Sequence, residues 1–98
     1  MNSKQRAILR SEASRIDAIF QVGKGEVNDA AIKSISDALE ARELVKISVL
    51  QNSDADPREA AEDIAARTGA EVVGVIGRKI VLYRMSSRPE KRKYSALI

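Results

Sequence analysis

The chain has 98 residues, enough for one domain with a modest core. It contains no cysteine and no histidine, which excludes disulfides and thiolate metal sites and removes the commonest general base and metal ligand. The net charge of +3 is unevenly spread: residues 1–25 carry +3, residues 26–77 carry −6 and residues 78–98 carry +6. If the fold joins the two basic ends, one face is positive and the other negative, the footprint of a nucleic-acid binder. A solvated surface with a basic tail explains the same distribution equally well. No apolar run approaches the ~20 residues of a membrane span, and the polar N-terminus argues against a secretory signal. No membrane partner and a cytoplasmic location are therefore expected.

In chain order, residues 3–15 read as a helix with Ser3 as N-cap and Ile8, Leu9, Ala13 and Ile16 on one apolar stripe. Lys4, Arg6 and Arg10 lie off that stripe, and the first two sit in the opening turn, where the helix dipole disfavours cations. Residues 18–22 form a strand. Residues 29–42 form a second helix capped by Asn28, with Ile32, Ile35 and Leu39 inward and Asp29, Lys33 and Asp37 paired along the outside. The second strand runs from Leu44 to Leu50, with Val45, Ile47 and Val49 on its packed face. After a polar loop, Asp56-Pro57 starts a third helix, which Gly69 ends in the left-handed conformation. Its acids, Glu59, Glu62 and Asp63, turn it away from any nucleic acid. Residues 72–76 and 79–84 pair as a hairpin through a Gly77-Arg78 type II′ turn, which displays Arg78 and Lys79 at a tip. Residues 85–98 read as a basic, flexible tail following a domain of residues 1–84.

The order α-β-α-β-α-β-β defines an α/β fold: a single two-layer-type domain with a four-stranded mixed sheet. If the strands step in one direction, the second and third helices cover the same face.

One stretch carries chemistry. Gly23, Lys24 and Gly25 lie between a strand end and a helix start. Two glycines remove the Cβ atoms that keep a bulky partner from the backbone. Free N–H groups at a helix start favour anions, so a sugar-phosphate backbone fits this loop. A tight strand-to-helix turn that needs glycine only for its geometry fits it as well.

The segments Gln21-Val22-Gly23-Lys24-Gly25, Ala38-Leu39-Glu40-Ala41-Arg42-Glu43-Leu44-Val45-Lys46-Ile47 and Val75-Ile76-Gly77-Arg78-Lys79-Ile80-Val81-Leu82-Tyr83-Arg84 occur in that order. With the early Lys4-Gln5-Arg6 and Leu9-Arg10, they resemble the YhbY-type RNA-binding, or CRM, domain over residues 3–84, and within it the bacterial single-domain YqeI type. The resemblance implies an RNA-binding module related in fold to the C-terminal domain of translation initiation factor three. It further implies association with precursors of the large ribosomal subunit, hence ribosomal RNA as partner. The family loop is written Gly-x-x-Gly, as in KH domains that clamp a nucleotide backbone. Here Glu26 stands in the place of the last glycine, so either Gly25 already permits close approach or the clamp is weaker. Asp17-Ala18 also departs from the basic or proline-containing stretch that precedes the family's first strand.

Three function classes remain. RNA binding rests on the charge segregation, the loop and the resemblance, and points to Lys4, Arg6, Arg10, Gly23, Lys24, Gly25, Arg78 and Lys79. A protein–protein adaptor in ribosome assembly would use the acidic face. An enzyme is the weakest reading: there is no P-loop and no Gly-x-Gly-x-x-Gly, and the helix carboxylates look solvated. No cofactor is expected, and a monomer is favoured over a dimer. Phe20 and Tyr83 read as core, which leaves little aromatic surface for base stacking. Recognition should therefore follow backbone and shape.

Overall fold

Asn2 opens the first helix. Its side chain accepts from the Gln5 N–H (2.8 Å) while the Gln5 side chain accepts from the Asn2 N–H (3.0 Å). This reciprocal capping box satisfies two otherwise orphaned donors, so the cap falls one residue before Ser3. The computed structural model describes residues 1–23, 27–51 and 56–98. Its elements are α1 (Ser3–Ala13), β1 (Phe20–Val22), α2 (Asp29–Arg42), β2 (Leu44–Val49), α3 (Pro57–Thr68), β3 (Glu71–Ile76) and β4 (Lys79–Tyr83), followed by 3-10 turns at Pro89–Lys91 and Ser95–Leu97.

The four strands form one mixed sheet in the order β1-β2-β4-β3. β1 pairs parallel with β2, and β4 pairs antiparallel with both β2 and β3. β4 is therefore an interior strand; four of its five residues, Ile80 to Tyr83, are buried. Gly77, with φ 59°, turns the hairpin, as a type II′ turn requires of its first central residue. The β3–β4 ladder slips between Val72 and Gly74, a bulge beside the cleft described below.

Period-two alternation sends each strand's side chains to two cores. Val45, Ile47, Val49, Ile80 and Leu82 face α2 and α3, where Ile35, Leu39, Ala61 and Ile64 complete the larger one. Both helices thus cover one face. Leu44, Val73, Val81 and Tyr83 face the other way and are covered by Leu9 and Ala13 of α1 and by Tyr94. Each fully buried Leu or Ile contributes about 1.5–3 kcal/mol. Outside, Lys33 pairs with Asp37 (3.0 Å), whereas Asp29 is taken by Arg67 of α3 (2.8 Å).

Residues 85–98 read as a flexible basic tail in the sequence, yet the structure docks them. Glu43, at the end of α2, has φ 66°, and its side chain is fully buried. Its carboxylate accepts from the Ser86 N–H (2.8 Å), the Tyr94 N–H (2.9 Å), the Ser95 N–H (3.0 Å) and the Ser95 hydroxyl. Burial pushes the Glu43 carboxyl up. The bonds from the Ser95 hydroxyl and the Ser95, Ser86 and Tyr94 N–H groups outweigh burial and hold it below the ordinary glutamate range. One turn earlier, Glu40 accepts from the Ser87 N–H (2.9 Å). The Gln5 side chain reaches the Ile98 carbonyl (3.2 Å), which ties the chain's end to α1.

Candidate nucleic-acid interface

Arg6 and Arg10 stand one turn apart on α1 and share a cleft with Arg58 and the stretch from Val72 to Ile76. Gly74 forms part of its wall: a Cβ there would stand 3.4 Å from the Arg10 Nε. Because β3 is an edge strand, this cleft runs along an open side of the sheet. A second depression is lined by Arg10, Ser14, Lys46, Ile76 and Lys79. Arg10 and Ile76 line both, so the two hollows adjoin at these residues. Among the described residues, no carboxylate is paired with Arg6, Arg10 or Arg58. Unneutralised guanidinium groups around a concave surface suit phosphate, whose oxygens accept from the planar fork.

The structure does not gather every candidate. Lys4 is exposed and lines neither hollow; at 3.6 residues per turn it points roughly 200° away from Arg6. Arg78 is half-buried, and its Nε donates to the Val49 carbonyl (3.2 Å) and the Leu50 carbonyl (3.1 Å). The guanidinium thus folds back as a brace between the hairpin turn and the end of β2. Lys79 does lie at the surface, where its amine bonds the Ser48 hydroxyl. Gly23 follows β1, and a Cβ on it would stand only 3.2 Å from the Leu50 Cδ1. The Leu50 N–H donates to the Val22 carbonyl (2.9 Å). Gly23, Leu50 and Arg78 are therefore mechanically connected at the strand ends that launch the loop. The rest of that loop, Lys24, Gly25 and Glu26, lies outside the described residues.

Several cations are engaged inside the fold. The Lys46 amine caps the end of α1 through the Ala13 carbonyl (3.0 Å) and the Ile16 carbonyl (3.2 Å). Arg84 bridges the Ser36 hydroxyl (2.9 Å) and the Thr68 carbonyl (2.7 Å), joining α2 to α3. Conversely, Arg58 escapes the sequence reading. It opens an acidic helix, and nothing local tells that α3 delivers it beside Arg6 and Arg10. Among the described residues, no group of three or more His, Cys, Asp or Glu side chains is placed to hold a metal ion, and no helix is long and apolar enough to cross a membrane.

A mixed α/β sheet with α1 laid over its second face, and basic side chains converging along that helix, defines the class. The CRS1/YhbY (CRM) domain model matches residues 1–84, and the chain belongs to this family. It is 50% identical over 86 residues to the probable RNA-binding protein YqeI of Bacillus subtilis, covering 88% of this chain and 90% of that protein. Against the probable RNA-binding protein MJ0652 of Methanocaldococcus jannaschii it is 34% identical over 98 residues, covering 98% of this chain and 71% of the relative. The solution structure of the hypothetical protein SAV1595 from Staphylococcus aureus superposes with a TM-score of 0.78 at 47% identity, covering 95% of this chain and 97% of the other.

Proposed function

We propose that this chain is a cytoplasmic RNA-binding protein that holds a sugar-phosphate backbone along α1, the hairpin and the Gly23–Gly25 loop, and that its target is ribosomal RNA during large-subunit assembly. The observation that carries the binding surface is the position of Arg10 at the junction of two basic hollows. Arg6, Arg10 and Lys79 are its central contacts, Lys4 is peripheral, and Arg78 positions the loop. The relatives named as RNA-binding support the partner, and the family likeness supports the ribosomal target. No base-stacking platform is involved: Tyr83 and Tyr94 are buried, and Phe20 packs against the larger core.

Affinity for a single-stranded RNA should fall steeply with salt. Up to ~5 phosphate contacts give a log–log slope of about −3 to −4. A flat response in a fluorescence titration would count against the charged surface. Sequencing RNA crosslinked to the protein in cells checks the target. A predominance of ribosomal sequences is expected, whereas scattered messenger reads would remove the ribosomal half of the proposal and keep the RNA half.

The loop has its own test. Lys24→Ala should weaken binding uniformly across sequences, since a phosphate contact carries no base information, and should shrink the salt slope by roughly 0.7. Glu26→Gly removes a negative charge and restores the family's glycine, so it should tighten binding. If both variants fold and neither moves affinity or slope, the loop is only a turn.

A further inference from the structure

At the opposite end of the sheet lies a cleft of about 540 Å³, between the ends of α1 and α2 and the docked C-terminal segment. It opens at the starts of β1 and β2, whereas Gly23 and the hairpin turn mark the other end of those strands. Five cations line it: Arg15, Arg42, Lys46, Lys91 and Lys93; the Lys46 amine is held by the Ala13 and Ile16 carbonyls, and Asp17 is the one acid among the lining residues. Ile16 and Ile19 give it an apolar wall, and Ile19 is 40% exposed. Arg15 is only loosely paired with Glu12 (3.7 Å), and the Lys93 amine sits over the Tyr94 ring, 5.3 Å from its centroid. A volume of this size lies within the ordinary range for small-molecule sites.

Two of the cations come from residues that a reading of the sequence leaves in a tail. They are held at the cleft because Glu43 binds Ser86, Tyr94 and Ser95, Glu40 binds Ser87 and Tyr94 packs into the core. The segment between those anchors forms an arch, and Lys91 and Lys93 are carried on it. Nothing in the core requires the arch to be basic: Tyr94 fills the core, while Lys91 and Lys93 remain exposed.

We infer that this cleft is a second site for single-stranded RNA, taking a nucleotide whose phosphates meet Arg42, Lys91 and Lys93 and whose base lies against Ile16 and Ile19. The inference rests on the RNA-binding reading and extends it. Lys46 lines both this cleft and the hollow beside Arg10, so the two basic regions adjoin across β2, whose six residues span about 20 Å at 3.3 Å per residue. One strand of about a dozen nucleotides, within the range that small single-strand binders cover, reaches both. The site would give the protein a longer footprint and a preference for unpaired RNA long enough to pass from one end of the sheet to the other.

The test compares wild type with the triple variant Arg42→Ser, Lys91→Ser, Lys93→Ser, using a 15-nucleotide oligouridylate over a range of salt. All three positions are exposed. Removing three phosphate contacts should reduce the size of the slope by about 2. In wild type, an amide-resolved NMR titration with the same RNA should perturb Arg42, Ile19, Lys91 and Lys93 together with Gly23 and Lys79. This second measurement needs no variant and stands even if the triple variant folds poorly. If wild type binds and the perturbations stop at the Gly23 and Lys79 end with the slope unchanged in the variant, the cleft is not a site and the RNA-binding reading survives. If wild type binds no RNA at all, both fall.

Discussion

Replacing Glu43 by alanine should lower the free energy of unfolding by about 2–4 kcal/mol and release residues 85–98 to proteases. A hydrogen bond to a charged group contributes about 1.5–3 kcal/mol, and this carboxylate accepts four. The loss is capped because the segment can peel away and let water satisfy the freed N–H groups. Glu43→Gln keeps the shape but not the charge and should lose less. Glu43→Gly is the discriminating comparison. At φ 66° a non-glycine side chain is strained, and glycine relieves a penalty of order 1 kcal/mol or more. It should therefore be more stable than the alanine variant although more of the side chain is gone. Urea unfolding gives the stability, and limited trypsin digestion at Lys91, Arg92 and Lys93 reports the arch. Wild-type stability and wild-type protection in the alanine variant would refute this account of Glu43.

The same carboxyl sets a pH dependence. Its folded-state pKa lies below the ordinary glutamate value of 4.5. A depressed carboxyl contributes stability that is fully present above the unfolded value and is lost as pH falls through the folded value. Below pH 4.5 the arch should therefore loosen, and the Glu43→Gln variant should lack that part of the acid transition.

Arg10→Glu should have the largest effect on binding of any single surface change. One phosphate contact contributes about 0.7 to the single-strand slope, so its loss at 0.1 M salt weakens binding roughly fivefold. Reversing the charge adds repulsion at the point where both hollows meet and should bring the loss to about 10- to 30-fold, shrinking as salt screens it. Stability should change by no more than about 0.5 kcal/mol, because Arg10 is exposed. Lys4→Glu makes the same charge change in the same helix but outside both hollows, and should weaken binding far less. Equal losses at Lys4 and Arg10 would mean that net charge, not the hollows, governs the interaction.

The contrast between Lys4, Arg10 and Arg78 shows where reading a sequence stops. All three are cations near motif residues, and charge counting treats them alike. In the structure Arg10 joins two concavities, Lys4 faces elsewhere, and the Arg78 guanidinium braces β2. Helical periodicity explains the first difference and a backbone hydrogen bond the second. The charge of a residue belongs to its type, but whether that charge is available belongs to its neighbours.

Local chemistry was sufficient for the element order. Alternating Val45, Ile47 and Val49, the Asp56-Pro57 helix start, Gly69 in the left-handed conformation (φ 74°) and the Gly77 turn each depend on residues within a few positions. The mixed four-stranded sheet and the pairing of α2 with α3 on one face follow from those elements joined by short connections. Three things depended on residues far apart in the chain. β4 sits between β2 and β3, which pair its backbone on both edges, while helices packed on both sides of the sheet bury its two apolar faces. Arg58 meets Arg6 and Arg10 because α3 starts beside the open edge of β3. Residues 85–98 dock because one buried carboxylate meets donors 43 to 52 positions away. Short-range patterns encode backbone preference and which side chains avoid water, whereas a long-range polar contact exists only after the hydrophobic cores have set the spacing between its partners.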